Sequence, residues 1–171
     1  MNSTMIVLRF IHVLAGVFWG GSIFFTAGFL LPAVMASGPA GGAIMRQLAA
    51  VQKFPVAAAA AAILTILSGA GMYWHDVAIS AGAFAKSAAG MTFGIGAVAG
   101  VVVFGIALGM IAPNAEKISM LGGSIQAAGG PPSPAQAAEM GQLQARMLFG
   151  SRLGAVFMAI AVIAMAIARY L

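Results

Sequence analysis

The chain alternates long apolar runs with short clusters of glycine, proline and charge. The first run, Met5 to Val34, continues for thirty residues with one formal charge, Arg9, and one imidazole, His12. About 20 apolar residues, rising ~1.5 Å each, cross the hydrocarbon core of a bilayer. This segment therefore predicts a spanning helix with a few turns to spare. Three further runs predict spans at about 54–74, 88–112 and 149–169. The expected fold is all-α: an integral membrane four-helix bundle in a single domain over 1–171, with both termini on the same side.

The connections sharpen this reading. Met1 to Thr4 is a polar start with a helix cap. The apolar region that follows is about twice as long as a cleavable signal uses and has no basic segment before it, so it reads as a retained span. Ser37-Gly38-Pro39 and Gly41-Gly42 predict a turn and then a short interfacial helix over 35–53. Pro55 suits the first turn of the second span, and Tyr73-Trp74 suits headgroup depth at its end. The third span is expected to end at Pro113-Asn114, with a loop from Glu116 to Pro132. Ser133-Pro134-Ala135-Gln136 has the spacing of a capping box. An amphipathic extension over 134–148, with Met140, Leu143 and Met147 on one face, is expected to run unbroken into the last span and carry that helix out of the membrane.

Composition removes several function classes. The 171 residues are 62% hydrophobic and 6% charged, far below the ~25% charge of soluble domains. A net charge of +5 is scattered rather than gathered into a patch, which excludes nucleic-acid binding and leaves the lipid bilayer as the expected partner, with other membrane subunits or a second copy beside it. There is no cysteine, hence no disulfide, thiolate site or iron–sulfur cluster. The carboxylates Asp76, Glu116 and Glu139 all lie outside the middle of the apolar runs. Loops at 35–53 and 113–152 carry Arg46, Lys53, Lys117, Arg146 and Arg152, against Arg9, Lys86 and Arg169 on the other side. The positive-inside bias then places the termini outside, periplasmic in a bacterial cytoplasmic membrane.

The only histidines, His12 and His75, fall on the same side of this topology. Each has a glycine four residues further into its helix, Gly16 and Gly71. Bundle cores build cofactor sites from facing helices, and imidazole is a standard axial ligand of haem iron. A b-type haem between the two helices is therefore expected, with His12 and His75 as iron ligands, Gly16 and Gly71 giving room, Trp19 stacking and Arg9 near a propionate. The alternative for each residue is plainer. His12 then packs or hydrogen-bonds, His75 is a solvated boundary residue, Trp19 is core, Arg9 is a headgroup anchor, and the glycines serve close packing. The twelve methionines are dispersed and read as core filling rather than a copper site.

The block His12-Val13-Leu14-Ala15-Gly16-Val17-Phe18-Trp19-Gly20-Gly21, followed by Phe24-Phe25, resembles the first helix of the copper-resistance D-like membrane proteins. Leu64 to Trp74 and Gly129-Gly130-Pro131-Pro132-Ser133-Pro134 are similar to later parts of such four-span proteins. His12 and Trp19 also resemble the first span of membrane-bound protoporphyrinogen oxidase, whose histidine is implicated in haem binding. The basic residue of that enzyme's later span has no counterpart, since Lys86 precedes the span.

Together these readings predict a small membrane protein that binds haem for electron transfer or as an accessory subunit of a redox complex. The other expectations are a non-catalytic structural or assembly protein and then a transporter of a small solute or metal. Transport would call for charged residues along a cavity or for inverted repeats.

Overall fold

The structure is a computed structural model that describes residues 3–171. Met1 and Asn2, half of the expected polar start, lie outside the described residues. Every element among the described residues is helical, and four helices are long and apolar enough to cross a membrane: Ser3–Ala36, Phe54–Ile79, Ala88–Ala128 and Pro134–Tyr170. Short helices at Pro39–Arg46 and Ala83–Lys86 fill the first two connections. The outward faces of the four long helices are covered in apolar side chains, among them Phe10, Val17, Phe29, Leu67, Val98 and Phe149. Such a surface suits acyl chains.

The first long helix packs chiefly on the second, and the third on the fourth; lighter contacts join the pairs. Glycines set both interfaces. A Cβ added at Gly16 would lie 3.5 Å from the Thr65 side chain, and one at Gly71 would lie 3.4 Å from that of Leu8, so the first pair is antiparallel, with each glycine packed against a side chain of its neighbour. In the second pair, Gly96 faces Ala164 and Met165 while Gly150 faces Met110 and Ile111. Lipid gives no hydrophobic drive between helices, so small residues and the van der Waals contact they allow must supply association. The pairs meet around Trp19, Ala61, Ala62, Val103 and Met158.

Two of the helices continue through a proline, for one shared reason. Pro32 and Pro113 should each break a helix, because proline lacks an N–H and clashes with the carbonyl four residues back. Here each is preceded by a π-helical turn, Thr26–Leu30 and Ala107–Ile111. The residue before each proline bonds five residues back, Leu31 to the Thr26 carbonyl and Ala112 to the Ala107 carbonyl. Widening the helix there accommodates the ring. The expected end at Pro113-Asn114 and the loop from Glu116 are therefore corrected: the helix continues to Ala128 and stops at Gly129 with φ 67°. Ile118, Leu121 and Ile125 are its half-buried face, at helical spacing opposite the last helix.

The fourth helix starts as its sequence predicts. Ser133 accepts from the Gln136 N–H at 3.2 Å and the Gln136 side chain accepts from the Ser133 N–H at 2.9 Å. The helix then runs without interruption from Pro134 to Ile167 and buries Leu143 and Met147.

One substitution pair tests the glycine contacts. At Gly96 a Cβ would already stand 3.0 Å from Met165 Cε and 3.2 Å from Ala164 Cβ, whereas at Gly105 it would meet nothing. Gly96→Val is expected to cost about 1–3 kcal/mol through overpacking and to lower the unfolding midpoint in detergent, followed by circular dichroism, by several degrees. Gly105→Ala should leave the midpoint unchanged or raise it slightly.

Candidate functional site at His12

Of the residues singled out from the sequence, His12 makes the most informative contacts. Its Nδ1 lies 2.8 Å from the Thr65 carbonyl oxygen on the second long helix. A carbonyl can only accept, so Nδ1 carries a proton and donates. The Thr65 carbonyl belongs to the helix ladder, and its outer lone pair is normally screened by the side chain four residues on. That residue is Gly69. A Cβ there would stand 2.7 Å from His12 Cε1 and 3.0 Å from Nδ1, so the missing side chain is what lets the imidazole reach the backbone.

The surroundings are mostly self-satisfied. Thr65 Oγ1 donates to the Ala61 carbonyl at 2.7 Å. Ser68, buried at 4% exposure, donates to the Leu64 carbonyl and lies 3.5 Å from His12 Nδ1. Such back-bonding keeps hydroxyls quiet inside an apolar helix. The Nε2 of His12 has no hydrogen bond among the described residues.

The other candidate residues are not gathered around His12 as a haem site between the helices would require. His75 is six residues beyond Gly69 on the same helix, about 9 Å further along and about 120° around it. Its Nδ1 is 3.3 Å from Asp76 Oδ1, and both side chains are partly exposed, at 34% and 42%. Gly16 and Gly71 bring the two helices together instead of opening a gap. Trp19 is buried at 6% exposure in the core where the pairs meet, and Arg9 is exposed one turn from His12. His12 lies against Gly69, so the first and second helices are in contact at this level. No group of three or more histidine or acidic residues that could hold a metal ion occurs among the described residues.

The sequence pattern pairs His12 with none of Thr65, Ser68 or Gly69. The signal available was a threonine followed four residues later by a glycine, which marks a helix carbonyl open to an outside donor. Reading each histidine against glycines of its own helix missed it.

Gly69→Ala tests this geometry directly. It is expected to displace the ring and remove the His12–Thr65 bond, a loss of about 0.6–1.7 kcal/mol for an interhelical bond in lipid. Nitrogen-15 NMR of the imidazole should report a protonated Nδ1 in the unmodified protein and a mixture of tautomers in the variant. The chain matches no known family, no curated protein and no solved structure.

Proposed function

We propose that this chain is a non-catalytic membrane protein that works through helix association within the bilayer. The observation that carries this reading is the use His12 is put to: the one imidazole inside the first apolar run joins two helices through a backbone carbonyl. Polar groups inside membrane helices are otherwise expected to mark chemistry. Here Ser22, Thr65, Ser68 and Thr92 likewise close on carbonyls of their own helices. Asp76, Glu116 and Glu139 stand at or beyond the ends of the apolar stretches.

In this reading the four long helices form one bundle with both termini on the same face, periplasmic in a bacterium, as the loop charges favour. The unbroken 34 residues from Pro134 to Ile167 measure about 51 Å, against a hydrocarbon core of about 30 Å, so the start of that helix stands in water. Gly105 and Gly109 are exposed, four residues apart, with open space where a Cβ would be. They supply the small-residue face through which copies or other membrane subunits associate.

A second reading has one specific observation behind it. Metal-ligating histidines commonly donate their other ring N–H to a backbone carbonyl, which fixes the tautomer, and His12 has that arrangement. A b-type haem on His12 Nε2 would then lack His75 as a partner and would not sit between the first and second helices. When bound, the haem would supply one-electron chemistry. This chain would supply the imidazole and its orientation through Thr65.

Two measurements on the purified protein separate the readings. Energy transfer between labelled copies in vesicles should fall at least severalfold in Gly105→Leu/Gly109→Leu; unchanged transfer rejects association through this face. Visible absorbance should show no Soret band. A band abolished by His12→Ala and retained in His75→Ala would establish the second reading in its place.

A further inference from the structure

Contacts between the long helices fix the relative depth of their residues, whichever way each side chain points. Leu8 meets Gly71, so Arg9 stands at the depth of the second helix just before Tyr73 and Trp74. Gly20 meets Met158 on the antiparallel fourth helix. Eleven residues lead back from Gly20 to Arg9, and eleven lead on from Met158 to Arg169. Both steps are about 16 Å toward the same end. Arg9 and Arg169 are therefore level.

The opposite end is set in the same way. Gly16 meets Thr65, and eleven residues lead on from Gly16 to Ala27 and back from Thr65 to Phe54, which Lys53 precedes. Six residues lead on from Gly20 to Thr26 and back from Met158 to Arg152. Lys53 and Arg152 thus share a second level, at the depth of Thr26 and Ala27. The distance between levels follows along single helices. Arg152 to Arg169 is about 26 Å and Phe54 to Trp74 about 30 Å. The hydrocarbon core of a bilayer is about 30 Å thick.

These levels sort the charge. Between them the four long helices hold His12 and no other histidine, lysine, arginine or carboxylate residue. Asp76 lies beyond Trp74, and Glu116 and Glu139 lie beyond the level of Lys53 and Arg152. Arg9, Lys53, Arg152 and Arg169 are exposed, and none pairs with a carboxylate among the described residues. Unneutralised cations at two planes one hydrocarbon thickness apart, with exposed Trp74 beside one plane, complement the phosphates of two leaflets.

We propose that Arg9 and Arg169 in one leaflet, and Lys53 and Arg152 in the other, bind the phosphates of anionic phospholipids and hold the bundle at this depth. Their alkyl stems lie along the acyl chains while the charged heads stay at the phosphates. Helix beyond the second level stands outside the hydrocarbon. Met120 is on such a stretch, ten residues past Met110, which meets Gly150 beside that level.

The test uses the full chain in lipid nanodiscs. The chain has no cysteine, so one spin label can be placed at Val162→Cys, between the levels, or at Met120→Cys, beyond them. Oxygen should relax the Val162 label, and a water-soluble nickel chelate the Met120 label. The reverse at either site overturns the proposed depth. Unfolding midpoints read the phosphates. The unmodified protein should melt several degrees higher in phosphatidylglycerol than in phosphatidylcholine. Lys53→Gln/Arg152→Gln should lose at least half of that difference, whereas Lys117→Gln/Arg146→Gln, beyond the second level, should keep it. Equal midpoints in the two lipids overturn the proposal and make an acidic protein segment the partner of these cations. An equal loss in both double variants overturns it too, because attraction would then follow net charge and not depth.

Discussion

The His12–Thr65 hydrogen bond depends on a side chain that is missing. A helix carbonyl already serves its own ladder, and its second lone pair lies under the side chain four residues ahead. With glycine at 69, the imidazole edge rests on the backbone and Nδ1 reaches the oxygen at 2.8 Å. The same absence of side chains brings Gly16 to Thr65 and Leu8 to Gly71. Direct backbone approach in one register thus fixes the first helix pair, and the histidine is its polar fastening. A ring nitrogen used in this way satisfies itself where water is lacking.

The prolines show the same economy with backbone groups. Pro32 and Pro113 each follow a glycine four residues earlier, Gly28 and Gly109, and each follows a π-helical turn. In a soluble protein, water could serve carbonyls freed by a broken helix. Inside lipid the helix must go on, and a shift from four-residue to five-residue bonding is the local way to continue. Both wide turns pack against the fourth helix, the second of them beside Gly150.

Trp19 shows how packing reassigns a residue whose chemistry is ambiguous. On a helical wheel it shares a face with His12, which is what suggests a stacked cofactor. In three dimensions the face turns from one neighbour to another along the helix. At His12 and Gly16 it meets the second helix; by Trp19 and Gly20 it reaches Val103 of the third and Met158 of the fourth as well as Ala61 and Ala62 of the second. The indole fills the place where the pairs join.

Run length, lack of charge and capping chemistry are properties of neighbouring residues, so the sequence by itself determined an all-helical chain with four stretches able to span a bilayer. For the same reason it determined the Ser133–Gln136 start of the last helix. The continuation of the third helix through Pro113 was only partly legible: Ile118, Leu121 and Ile125 carried helical spacing, but whether a proline ends a helix depends on the turn before it. The partners of His12 were decided only by tertiary structure. Whether an imidazole meets a carbonyl, a haem or lipid depends on which residue of another helix stands opposite. With 23 glycines in the chain, spacing along one helix cannot select Gly69, because the selection is made by the register between two antiparallel helices.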